Sequence, residues 1–194
     1  WALRWRARRL RPAPLVLLAD VSRSMAGYTR MLLQLGHTLL RAPMRIEVFT
    51  LGTRLTRITR WLRGRDPDQA LALALQAAAD HGGGTRLALG LHAFNRRWAR
   101  RVMPGDASVL LITDGLEPGD APALAQLGAE MAMLRRGCRR IVWLNPLLRY
   151  ARFEPRAAGI RAMLPHVDRL LPGHDLASLE TLLATLVARA PVRR

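Results

Sequence analysis

Short apolar runs alternate along this chain with longer stretches of helical period, and this alternation limits the available folds more than any single motif does. Pro14 to Val21 is too short for a helix and is bounded by proline and by the polar Asp20-Val21-Ser22-Arg23-Ser24, so it reads as a strand buried on both faces. A helix follows, with Tyr28, Met31, Leu32, Leu35 and Leu39 on one face and Pro43 after its end. Arg45 to Thr50 and Arg54 to Thr59 alternate with period two around Leu51-Gly52-Thr53, the pattern of a hairpin. The second strand turns its arginines outward and belongs at a sheet edge.

The rhythm continues to the end of the chain. Asp66 and Pro67 open a helix running to about Ala79, with Ala70, Leu71, Ala74, Leu75 and Ala78 apolar, and His81-Gly82-Gly83-Gly84 stops it. The next helix begins near Thr85 and sets Leu87, Leu91, Phe94 and Trp98 on one stripe. Ser108 to Thr113 reads as a buried strand, and Asp120 to Arg135 as a helix with Leu124, Leu127, Met131 and Leu134 inward. Arg140 to Leu144 is a strand ended by Asn145-Pro146, Val167 to Leu171 a last strand, and Leu176 to about Ala188 a last helix. Strands alternating with helices imply a Rossmann-like three-layer α/β domain with a mainly parallel sheet and one antiparallel edge strand. At 194 residues the chain suits one such domain, expected over 14–190 and preceded by a basic segment, 1–13.

Charge and cysteine usage narrow the setting. All of the 31 basic residues are arginine and the net charge is +17, a positive field strong enough to bring nucleic acid into consideration. The arginines are nevertheless spread along the chain, and no RNP, KH, zinc-finger or helix-turn-helix signature is readable, so an acidic protein is the better-matched partner. One cysteine, Cys138, cannot form an internal disulfide, and no apolar run is long enough to span a bilayer. Trp1 to Arg11 is arginine-rich without an apolar core, unlike a secretory leader. The expectation is a cytoplasmic protein.

Three polar clusters sit where an open α/β sheet collects ligands, at strand ends and helix starts. They are Asp20-Val21-Ser22-Arg23-Ser24, Gly82-Gly83-Gly84-Thr85 and Thr113-Asp114-Gly115. Each alone also fits an ordinary helix cap or turn. Together they offer carboxylates and hydroxyls, hard oxygen donors suited to Mg²⁺ or Mn²⁺ and poorly suited to zinc or copper. A centre with few carboxylates keeps positive character and an open position that a partner's Asp or Glu can fill.

The order Asp-x-Ser-x-Ser, then Thr after a glycine turn, then Asp-Gly resembles the metal-ion-dependent adhesion site of von Willebrand factor A (VWA) domains. In that family the two Asp hold the ion largely through water while the Ser and Thr hydroxyls bind it directly. By position the resemblance assigns these roles to Asp20, Ser22, Ser24, Thr85 and Asp114, with Arg23 and Arg86 beside them as candidate partner contacts. Arg23 stands where the family often has Gly. Four longer strings are similar to one branch, the CoxE-like accessory factors of carbon monoxide dehydrogenase and related molybdenum hydroxylases. These are Glu47-Val48-Phe49-Thr50-Leu51-Gly52-Thr53-Arg54-Leu55-Thr56, Phe94-Asn95-Arg96-Arg97-Trp98, Val142-Trp143-Leu144-Asn145-Pro146 and Leu164-Pro165-His166-Val167-Asp168. The resemblance runs from about Arg11 to Leu186 and implies a role in maturing a molybdenum hydroxylase, alongside a MoxR-type AAA+ ATPase.

Enzymatic readings find little support. His37, His81, His92, His166 and His174 show no zinc spacing, and neither a P-loop nor Gly-x-Ser-x-Gly is present. Ser22 and Ser24 have no nearby base, and the second Asp of an aspartyl phosphatase is missing after Asp20. No catalytic residue is assigned. Cys138 reads as a partly buried structural cysteine, with a reactive thiol beside Arg135-Arg136 as the alternative. A basic module that binds nucleic acid is the competing reading of the whole chain.

Overall fold

A computed structural model of the chain describes residues 13–64, 66–78, 86–117, 120–149 and 157–173. The first apolar run forms β1 (Leu15–Asp20), whose six residues are all buried. Its alternate side chains feed two cores. Leu15, Leu17 and Ala19 face one layer of helices, while Val16 and Leu18 face the other. This two-sided burial explains an apolar run that does not alternate with polar residues.

Helix α1 (Ala26–Leu39) covers the first face through Leu32, Leu33, Leu35 and Leu39, with Tyr28 and Met31 only half-buried at its margin. The hairpin then forms as β2 (Ile46–Leu51) and β3 (Leu55–Arg57), paired antiparallel with Phe49 opposite Arg57 and Leu51 opposite Leu55. The second strand ends before Thr59, short of the sequence expectation. The Thr59 hydroxyl accepts the Val48 N–H at 2.9 Å and donates to the Glu47 carboxylate at 2.8 Å, which turns the chain inward into the one-turn helix α2 (Thr59–Leu62).

Helix α3 (Pro67–Ala78) packs on the same face by Leu71 and Ala74, but Leu75 is exposed. Helix α4 (Leu87–Arg97), a short α5 (Ala99–Val102), and α6 (Ala121–Gly137) cover the opposite face. The expected row on α6 is buried at Leu127, Met131 and Leu134, with Leu124 half-buried at its exposed start. Strands β4 (Ser108–Ile112), β5 (Arg140–Asn145) and β6 (Arg169–Pro172) complete the sheet, and the short α7 (Ala158–Met163) joins the second face. The sheet order is β3-β2-β1-β4-β5-β6, parallel except for the β2–β3 pair. The expected architecture is therefore present: three layers, a mainly parallel sheet and one antiparallel edge strand. The helix expected over Leu176 to Ala188 lies outside the described residues.

The reversal of strand order falls at the centre. From β1 the chain crosses first to β2 on one side and later to β4 on the other, so a crevice opens beyond the carboxyl ends of β1 and β4. Among the described residues no helix is long and apolar enough to cross a membrane.

Candidate metal centre

Two of the three polar clusters meet at that crevice. Strand β1 pairs with β4 up to Ala19 beside Ile112, so the next residues, Asp20 at the end of β1 and Thr113 just past β4, lie side by side. The Thr113 hydroxyl donates to Asp20 Oδ2 at 2.7 Å, and the Ser22 N–H donates to Asp20 Oδ1 at 2.8 Å. That second bond bends the chain directly after the strand. Ser22 C=O then accepts the Met25 N–H at 3.0 Å, and residues 22–25 make a turn leading into α1. Within the turn the Ser22 and Ser24 hydroxyl oxygens lie 3.0 Å apart. Ser24 and Arg23 are exposed and Ser22 half-buried, so the hydroxyls sit at the rim above a buried carboxylate.

Asp114 is held by a separate set of bonds. Its Oδ1 accepts the Leu116 N–H at 3.0 Å, and its carbonyl accepts from Asn145 Nδ2 at 3.1 Å. The Trp143 indole N–H donates to the Thr113 carbonyl at 2.8 Å, and the Gly115 N–H donates to the Thr113 hydroxyl at 3.0 Å. Gly115 has φ of 73°, the left-handed region that favours glycine. A Cβ there would also come within 2.7 Å of the Trp143 ring, so the Asp-Gly pair is fixed by backbone shape and by packing.

The electrostatics of the crevice are unusual for a basic protein. Burial pushes the Asp20 carboxyl up to about 6 despite the Thr113 and Ser22 hydrogen bonds, and the nearby Asp114 charge pushes the same way. Two buried acids thus share one site. Among the described residues no three His, Cys, Asp or Glu side chains gather as a metal cluster. A centre here depends on hydroxyl donors, as the Ser22–Ser24 pair supplies, and the donor set fits a hard divalent cation that neutralises two adjacent acids.

Of the residues read from the sequence, Asp20, Ser22, Ser24 and Asp114 come together at this edge. Thr85 and the glycine turn before it lie outside the described residues. Arg86 is exposed at the N-terminus of α4, beside a cavity of about 400 Å³ that Glu117 and Asp120 also line. Glu117 accepts the Leu87 N–H at 2.7 Å, tying the loop after Asp114 to the start of α4. Its carboxyl is raised by burial, with the Leu87 and Ala88 N–H groups and Arg86 acting in the opposite direction. Sequence reasoning missed Thr113, Asn145 and Glu117 as positioning residues. The Thr113 role was hidden because it depends on β1 and β4 being neighbours, and the only local signal was a hydroxyl beside Asp114. Cys138 is buried and its thiol pushed up to about 11, mainly by desolvation, so the reactive alternative does not hold.

The sequence matches the family described as VWA domain containing CoxE-like protein over residues 1–179. No curated protein matches it. Among solved structures, the fold is similar to a von Willebrand factor type A protein from Catenulispora acidiphila, with TM-score 0.62 and 16% identity over 91% of this chain and 42% of that one. It is similar also to proximal thread matrix protein 1 from the mussel byssus, solved with a zinc-occupied MIDAS motif, with TM-score 0.54 and 14% identity over 91% and 47% of the two chains. BatB from Bacteroides thetaiotaomicron gives TM-score 0.54 and 12% identity over 90% and 97%. The chain spans less than half the length of the first two of these structures.

Proposed function

The chain belongs to the VWA-domain-containing CoxE-like family, and from that premise we propose that it is a non-catalytic domain that grips a partner protein through a divalent metal. The observation that carries this reading is the convergence of two buried acids, Asp20 and Asp114, with the Ser22 and Ser24 hydroxyls at the crevice beyond β1 and β4. The residues that would hold the ion are Asp20, Ser22, Ser24, Asp114 and, by position in the family motif, Thr85. Mg²⁺ or Mn²⁺ matches this all-oxygen set, and a zinc-occupied MIDAS in the mussel byssus protein supports divalent binding by the motif. When bound, the ion supplies a positive centre for a partner's Asp or Glu.

The chain's own residues do the rest. Thr113 and the Ser22 N–H orient the Asp20 carboxylate, while Asn145 and Trp143 hold the Asp114 loop in place. Arg23 on the rim, and Arg86 at the start of α4, are exposed cations that favour an incoming carboxylate over a neutral group. Within the family, this grip serves the maturation of a molybdenum hydroxylase such as carbon monoxide dehydrogenase, with a MoxR-type AAA+ ATPase as a partner. The acting unit is the domain over 14–190, working in the cytoplasm.

The test is capture from the host. Tagged protein purified with Mg²⁺ should bring down an AAA+ ATPase or a molybdenum hydroxylase, and EDTA, Asp114→Ala or Thr85→Ala should release it. Binding that survives all three would make the metal edge a remnant. Nucleic acid as the captured species, with affinity that falls steeply as salt rises and ignores EDTA, would favour the basic-module reading instead.

A further inference from the structure

The β3 edge lies apart from the metal edge in residues and in chemistry. Strand β3 is the outermost strand, and among the described residues nothing pairs with its outer side. Gly52 N–H donates to the Arg54 carbonyl at 3.3 Å and Ile58 N–H to the Val48 carbonyl at 2.9 Å, so Arg54 and Ile58 face β2. By the two-residue alternation of an antiparallel ladder, Leu55 and Arg57 direct their N–H and C=O groups away from the sheet. These are the groups an added strand would use.

The side chains around this edge form a clamp. Trp61 packs with the core on one face of the sheet and Trp98 with the core on the other. Between them Arg57 and Arg60 line a cavity of about 250 Å³. The Arg57 guanidinium lies 5.2 Å from the Trp98 ring centroid, and that of Arg60 lies 4.1 Å from the Trp61 ring centroid. Arg57 is committed to Glu47 through two hydrogen bonds of 2.8 and 2.9 Å. Arg60 has no ion-pair partner among the described residues, and exposed Arg54 and Arg63 extend the same positive edge.

We propose that β3, clamped by Trp61 and Trp98, is a docking site for an extended acidic segment of a partner protein, which pairs with the Leu55 and Arg57 backbone and sets a carboxylate against Arg60. Charge complementarity selects an acidic occupant. The arginines over the two rings favour a peptide over a nucleic acid, because a guanidinium above one face of an indole occupies the place where a base would stack. A guanidinium over an aromatic ring still has N–H donors in its own plane, and those of Arg60, which has no ion-pair partner among the described residues, can grip a carboxylate.

Amide NMR of the isotope-labelled full chain tests this, with a short blocked peptide of alternating Glu and Val as probe. The Leu55 and Arg57 amides should shift and become protected from exchange. N-methylation of the peptide backbone, or Arg60→Gln in the protein, should each weaken binding about ten-fold, and Lys in place of Glu should abolish it. EDTA and Asp114→Ala should leave it unchanged, which separates this surface from the metal edge. Equal affinity for the N-methylated peptide would overturn the proposal. So would peptide shifts confined to the residues around Asp20 and Asp114, or binding of oligouridylate in place of the peptide.

Discussion

Two buried carboxylates on neighbouring strands, Asp20 at the end of β1 and Glu47 in β2, are treated in opposite ways. Glu47 has its cation supplied by the chain, since Arg57 grips both its oxygens and Thr59 adds a hydroxyl. Asp20 is served among the described residues by the Thr113 and Ser22 hydroxyls and the Ser22 N–H, all neutral donors, and its charged neighbour is a second acid, Asp114. A protein with 31 arginines has cations to spare, yet none stands against Asp20 among the described residues. The difference separates a carboxylate neutralised within the scaffold from one left without a cation, the one that the proposed function assigns to a bound ion.

The sharpest way to break that contrast is to remove the internal cation. Arg57→Ala leaves Glu47 buried and unpaired, and should lower unfolding stability by about 3 kcal/mol, toward the lower end for a broken buried pair because Arg57 is itself half-exposed. Denaturant unfolding measures it, and Mg²⁺ should not restore the loss. A change below about 0.5 kcal/mol would mean that water already serves Glu47.

At the other carboxylate the cation should act from solution. An ion that binds only the folded state stabilises it by about 2.7 kcal/mol at a hundred-fold excess over its Kd. Mg²⁺ should therefore raise the Tm of the metal-free protein and leave Asp20→Ala unmoved. Equal shifts in both proteins would place the stabilising ion elsewhere.

The contrast also shows what a sequence reveals. Asp20 and Asp114 were legible because an acid close after an unbroken apolar run, directly for Asp20 and one residue on for Asp114, marks the end of a buried strand. The edge position of β3 was legible because Arg54 and Arg57 interrupt its short apolar pattern. Thr113 beside Asp20 was not, since that pairing follows from the β1–β4 register across more than ninety positions. Nor was the early end of β3, because period-two alternation does not reveal that the Thr59 hydroxyl meets Glu47 and Val48 and bends the chain. Leu75, apolar but exposed on α3, is where composition suggested burial and the packing did not require it.

Acidity sharpens the comparison further. In metal-free protein the Asp20 carboxyl is raised from 3.8 to about 6, chiefly by burial, so the folded state holds this proton more tightly than the unfolded chain does. Asp20 therefore favours folding at low pH, and that contribution is lost as pH rises from 3.8 through about 6. Metal binding needs the ionised form, so the Mg²⁺-induced rise in Tm should be small near pH 5 and reach its full size above about pH 7. Asp20→Ala should lose both trends. A Mg²⁺ shift constant across this range would detach Asp20 from the ion.

The smallest expected effect concerns the rim. Arg23 is exposed between Ser22 and Ser24, where water and salt screen its charge. An exposed pair of this kind contributes at most about 1 kcal/mol, so Arg23→Gly should weaken capture of the carboxylate-bearing partner by no more than about five-fold. The loss should shrink as salt rises, and appear mainly in the association rate, because a rim charge steers encounter more than it holds the complex. Asp114→Ala, which removes one of the two buried acids, should abolish capture at any salt. If instead Arg23→Gly abolishes it while Asp114→Ala spares it, the exposed arginine is the anchor and the contrast between internal and external cations fails at this edge.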